Sequence, residues 1–155
     1  MRDQAHRPDD SANAYQSALT DLRGVIRAAC TRESGWPNRV AAAVHAALGF
    51  AATNPAAARL LTVGVFAGGR EGIRLHQQMV ERFARLLGAG APVDPLRSEI
   101  AETFMVSCIV SIATERLLAG EERELPALAS QLVELTLLPY LGAAEAKELA
   151  CRYRP

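Results

Sequence analysis

Residues 99–118 read EIAETFMVSCIVSIATERLL, and within them the stretch 103–114 carries no charged side chain. Wound as a helix, the segment puts Ile100, Phe104, Cys108 and Ile112 on one face and Val106, Ile109, Val110, Ala113 and Leu117 on others. It is apolar nearly all round, and a helix of that kind has to be covered on every side. Neighbours in the chain cover one side, which leaves the other to a second copy of the chain or to a helix distant in sequence. One long helix is therefore expected to serve both the core and an interface.

The flanking sequence predicts an all-α, single-domain bundle of six to seven helices. Residues 1–10 are polar and read as a disordered lead to a helical domain over 11–155. A first helix over 11–32 carries Tyr15, Ala18, Leu19, Leu22, Val25, Ile26, Ala29 and Cys30 at three- and four-residue steps. The break at 33–37 leads into a helix over 38–53 with Val40, Val44, Ala47, Leu48 and Ala51 inward. Asn54-Pro55 then acts as a start signal, with proline in the first turn where its missing N–H costs nothing, and opens a helix over 55–67. Gly68-Gly69 separates it from a helix over 70–87, and Asp94-Pro95 repeats the start device ahead of a helix over 95–119 closed by Gly120. A helix over 125–139 and a short one over 143–150 complete the chain. No segment sustains the apolar–polar alternation of a strand.

Seventeen basic and seventeen acidic residues among 155 give a formal net charge of zero. That balance lacks the basic excess of a nucleic-acid-binding domain. A chain of this length buries about 70% of its unfolded surface without a metal or disulfide staple. Cys30, Cys108 and Cys151 lie far apart and form no C-x-x-C or Cys/His cluster, so neither metal nor cofactor is expected, and reduced thiols fit a cytoplasmic protein. The N-terminus has no apolar signal core. The run 40–58, free of Asp, Glu, Lys and Arg, contains His45 and the Asn54-Pro55 breaker and reads as two helices rather than a membrane span. Neither an H-E-x-x-H, a G-x-S-x-G nor a P-loop is present, and Gly68, Gly69 and Gly72 follow no strand. The expectation is a protein that is not an enzyme.

Candidate ligand-binding residues cluster by helical register. His76 lies on the inward face of its helix, either as a satisfied core histidine or as a ligand contact. Phe50, Phe66, Met79, Phe83, Phe104, Met105 and Cys108 form with it the lining expected of a site for a small apolar molecule, or an ordinary core. Ser107 and Ser111, with Thr103 and Thr114, form a small stripe that lets another helix approach. With Ile109 and Ile112, and with Leu132, Leu135, Thr136, Pro139 and Tyr140 of the following helix, they predict a four-helix interface across a two-fold axis.

The ordered landmarks Gly35-Trp36-Pro37-Asn38-Arg39-Val40, Phe50-Ala51-Ala52-Thr53-Asn54-Pro55, Leu117-Leu118-Ala119-Gly120, Leu125-Pro126-Ala127-Leu128 and Leu138-Pro139-Tyr140-Leu141-Gly142, with the glycine-rich break at 68–69, together resemble the C-terminal domain of TetR-type transcriptional regulators. The likeness spans roughly 14–149. It implies an effector-binding domain that homodimerises through its last two long helices, here 95–119 and 125–139, and holds a small-molecule pocket among the helices before them. Ser107-Cys108 stand where family members often carry two glycines, and remain small.

Regulators of this type read DNA through an N-terminal helix-turn-helix, and no recognition helix can be placed ahead of residue 11. The expected partners are therefore a second copy and a small apolar effector, with DNA contacted only through a missing N-terminal domain, and no membrane. The competing expectation is a stand-alone protein that sequesters a ligand or pairs with full-length relatives as an inactive partner.

Overall fold

The computed structural model describes residues 8–93 and 100–155, and among these it contains seven α-helices, three short 3-10 turns and no strand. The helices are α1 (Pro8–Cys30), α2 (Trp36–Thr53), α3 (Pro55–Thr62), α4 (Gly69–Gly88), α5 (Ala101–Ala119), α6 (Ala129–Leu141) and α7 (Ala143–Ala150). The all-α bundle expected from the sequence is the fold observed. Of the predicted lead, residues 1–7 lie outside the described residues, and Pro8 already opens α1. The Asp94-Pro95 start signal also lies outside them, and α5 begins at Ala101.

Local chemistry explains where the helices stop. Asn54 and Pro55 turn α3 by 110° from α2. The Asn54 side chain donates back to the Phe50 carbonyl at 3.3 Å, and Pro55 sits in the first turn of α3. The predicted helix over 55–67 ends early, at Thr62, and continues as a 3-10 turn over Gly64–Gly68. β-Branched Thr62 and Val63 followed by Gly64 are poor helix formers, which explains the difference. The helix predicted over 125–139 instead starts at Ala129, preceded by a 3-10 turn over Glu122–Leu128 that contains Pro126. It runs through Pro139 to Leu141, and Gly142, at φ 78°, then supplies a left-handed residue that sharply separates α6 from α7.

Helix α2 runs through the middle, packed against α1, α6 and the 3-10 turn before α6, while α4 lies along α5 and α6 along α7. The core at their junction holds Ala41, Leu48, Leu117, Leu125, Val133 and Leu137, all fully buried. Helix α1 buries Tyr15, Ala18 and Leu19 and half-buries Leu22, Ile26, Ala29 and Cys30, so of its predicted inward face Val25 alone is exposed. Tyr15 donates its hydroxyl to the Leu75 carbonyl at 3.2 Å, tying α1 to α4. Burial pushes the Tyr15 phenol above its usual range, keeping it a neutral donor. No single described helix is long and apolar enough to cross a membrane.

Among the glycines, the tightest surroundings are at Gly72. A β-carbon built there would stand 1.7 Å from the Val65 carbonyl oxygen. Helix α4 therefore rests directly on the 3-10 turn before it, and only a residue without a side chain fits.

Candidate functional site

Helix α5 is fixed at both ends. At its C-terminus Gly120 takes a left-handed conformation, φ 75°. Arg59 of α3 donates from Nε and Nη2 to the Leu117 carbonyl at 3.0 and 2.9 Å, and from Nη2 to Glu122 at 3.2 Å. Those bonds add to the Gly120 N–H bond, at 3.4 Å, that the same carbonyl accepts in the last turn, and they place a cation at the negative end of the helix dipole. At the N-terminus Tyr140 of α6 donates its hydroxyl to Glu102 Oε1 at 3.0 Å. The Tyr140 ring lies 4.8 Å from that of Trp36, and the Trp36 indole N–H donates to the Leu87 carbonyl at the end of α4 at 2.8 Å. Trp36 thus gathers the ends of α2, α4 and α6 at one corner. The sequence reading places Trp36 in a helix break; in the fold it opens α2, because Gly35 takes φ 78° immediately before it.

Held this way, α5 buries only Val106 and Leu117 completely. Met105, Ile109, Val110, Ile112 and Ala113 are half-buried against the core. The residues left outward are Phe104, Ser111, Glu115, Leu118 and Ala119, with Ile100 immediately ahead of the helix. Three of these are large and apolar: Ile100 is 71%, Phe104 63% and Leu118 66% exposed. At about 100° per residue, Ile100, Phe104, Ser111 and Leu118 fall within roughly 20° of one line along the helix. The uncovered side anticipated for this helix is present, and these residues form it.

Several predicted interface residues lie elsewhere. Leu132 and Thr136 are buried within one chain, where Thr136 Oγ1 donates to the Leu132 carbonyl at 2.6 Å. Helix α6 packs against α2 and α7. Ile109 and Ile112 pack on the core, and Tyr140 is engaged with Trp36 and Glu102 in its own chain. Ser107 is half-buried, and Ser111, Leu135 and Pro139 are exposed.

The predicted ligand-binding residues differ widely in exposure. Phe50 and Met79 belong to the packed core, and Phe83 and Met105 pack against it half-buried. Cys108 is half-buried. Phe104 moves from the expected pocket lining to the outward row of α5, because the helix is rotated to bury Val106 and Leu117 instead. Phe66, 45% exposed on the 3-10 turn, packs on His76 with ring centroids 4.8 Å apart and planes tilted by 48°. His76 Nδ1 is buried without a hydrogen-bond partner, a state that costs about 1–3 kcal/mol.

Two open surface recesses lie away from these residues. One, of about 310 Å³ between α4 and α5, is lined by Glu81, Ala84, Arg85, Gly88, Glu102 and Thr103. The other, of about 360 Å³, is lined by Arg27, Cys30, Thr31, Glu33 and Arg39. Among the described residues, no group of three or more His, Cys, Asp or Glu is placed to hold a metal ion. Neither a family model, nor a curated protein, nor a solved structure matches this chain.

Proposed function

We propose that this chain is the self-pairing, effector-sensing domain of a TetR-type transcriptional regulator. The observation that carries the reading is the outward row of α5, where three large apolar side chains are left in water on a helix that is tied down at both ends. At about 200 Å² for a fully exposed large side chain, Ile100, Phe104 and Leu118 offer on the order of 400 Å² of apolar surface. That is about half of the ~800 Å² each partner contributes to a standard interface. Apolar patches of about this size on a protein surface are often functional. Pairing through α5 would set the separation of DNA-reading heads joined to the domain, and an effector that binds one arrangement of α4 and α5 better than another would shift that separation.

Light scattering coupled to size exclusion tests the pairing. The native chain is expected at twice its 16.6 kDa. Phe104→Glu, which places a charge in the apolar contact, should weaken pairing by about 2 kcal/mol or more, roughly 30-fold, and leave the helical circular dichroism unchanged. A native chain that runs as a monomer at micromolar concentration would remove self-pairing from the function.

The effector half of the reading rests on His76. A small apolar molecule carrying a hydroxyl or carboxylic acid would lay its hydrocarbon on Phe66 and donate a proton to His76 Nδ1, recovering a buried nitrogen that now has no partner. His76→Phe is expected to retain or slightly raise thermal stability, since it removes an unsatisfied polar atom. It should also abolish the thermal shift given by hits from a library of such molecules. Hits that stabilise the variant as much as the native chain would place the effector elsewhere.

A further inference from the structure

The recess of about 360 Å³ at the junction of α1 and α2 has a chemistry that neither the outward row of α5 nor His76 uses. Arg27 of α1 and Arg39 in the first turn of α2 line it, with Cys30, Thr31 and Glu33. Two bonds across the turn hold the walls together. Cys30 Sγ donates to the Arg39 carbonyl at 3.4 Å, and Arg39 Nε donates to the Glu33 carbonyl at 3.3 Å. The ion pairs among the described residues join Arg59 to Glu122, Arg74 to Glu71, and Arg116 to Glu121 and Glu124. Arg27 and Arg39 take part in none of them, although Glu33 shares their recess. Nor does Arg27 close its own helix end, because the last carbonyls of α1, from Arg27 to Cys30, already accept from the N–H groups of Thr31, Arg32 and Glu33 and from the Thr31 hydroxyl. Arg152, which donates to Asn38 Oδ1 at 3.0 Å, brings a third guanidinium to the same corner.

We infer that this recess is a binding site for a small phosphate monoester that also carries hydroxyl groups, the chemistry of a polyol or sugar phosphate. The inference stands apart from the self-pairing and effector readings above. Guanidinium forks match phosphate oxygens two at a time, and two forks suit a doubly charged phosphate better than a singly charged carboxylate. The oxygens on the rest of the lining accept. The Glu33 carboxylate has no proton to give, and the Thr31 hydroxyl donates its own to the Ala28 carbonyl at 3.0 Å. Such acceptors select hydroxyl donors on the ligand, and the Glu33 charge repels a second anionic group. Inorganic phosphate would fill the arginine end and leave the acceptors without a donor.

The test is titration of the native full chain with glycerol 3-phosphate at ~150 mM salt, followed by phosphorus NMR, with inorganic phosphate and glycerol as separate arms. Saturable binding of the ester at or below about 1 mM is expected, at least roughly ten-fold tighter than either arm. Arg27→Gln, a change at an exposed side chain, should weaken it at least roughly ten-fold with helical circular dichroism unchanged. Glu33→Gln should bind inorganic phosphate more tightly and lose the preference for the ester. Cys30 reports location: at saturation its alkylation by iodoacetamide should slow, while that of the half-buried Cys108 on α5 stays the same. Burial pushes the Cys30 thiol up and the Arg39 charge partly opposes this, so a dianion on Arg39 lowers thiolate as well as access. No saturation by the ester, equal binding by Arg27→Gln, or unchanged Cys30 alkylation at saturation overturns the site. Inorganic phosphate binding as tightly as the ester, or an ester preference that survives in Glu33→Gln, overturns the hydroxyl-bearing class.

Discussion

Gly72→Ala is expected to destabilise the protein by more than about 3 kcal/mol, a large share of the 5–15 kcal/mol that separates a folded domain from its unfolded chain. The added methyl would stand 1.7 Å from the Val65 carbonyl oxygen and 2.8 Å from its carbon. Both are backbone atoms, so no side-chain rotation relieves the clash. Either α4 lifts from the 3-10 turn or the turn unwinds, and both expose Val65 and Met79, which are now buried. Alanine is intrinsically the better helix former by about 1 kcal/mol, so the sign of the effect isolates the close approach. Gly24→Ala in α1, where a β-carbon would meet nothing within 4 Å, should stabilise by that amount. Urea unfolding followed by circular dichroism measures both. Equal stability of Gly72→Ala and the native chain would mean that α4 does not rest on this turn.

The second large effect separates two adjacent leucines. Leu117 is fully buried beneath α5, whereas Leu118 is 66% exposed. Leu117→Ala should cost about 2–5 kcal/mol, the range for a leucine removed from a packed core, with pairing lost only as a result of unfolding. Leu118→Ala should change the stability of the single chain by less than about 0.5 kcal/mol, while weakening self-association on dilution. Urea midpoints read at one protein concentration, alongside dissociation followed by light scattering over a dilution series, separate the two outcomes. Were Leu118→Ala to lower stability as much as Leu117→Ala, the rotation of α5 about its axis would be wrong, and with it the outward row.

That rotation is what periodicity could not supply. In helix α2 the predicted inward residues Val40, Val44, Leu48 and Ala51 are buried, and Ala41, Ala42 and Phe50 on its other sides are buried too because the helix runs through the middle. Helices α5 and α6 are apolar on most sides, so hydrophobic spacing gives them no preferred direction. Phe104 was accordingly expected to line a pocket and faces water, while Leu132 and Thr136 were expected at an interface and are sealed in the core. Helix ends were legible where a residue with a single backbone role marks them, as at Asn54-Pro55 and at Gly142. They were missed where the chain tightens into a 3-10 turn before α4 and before α6. Trp36, Arg59 and Tyr140 tie together segments more than fifty residues apart, and no local pattern announces such pairings. The charge-free middle of α5 marked a helix that one chain leaves partly uncovered, and only packing could select its exposed side.

The corner built on Trp36 has an optical consequence. Trp36 is the only tryptophan in the chain, and its indole donates to the last turn of α4 and lies beside Tyr140, whose hydroxyl holds the start of α5. Emission excited at the red edge of the indole band therefore comes from this one junction. A shift of α4 against α5 alters the polarity and hydrogen bonding of the ring directly, so the protein carries a built-in fluorescent reporter of any such movement.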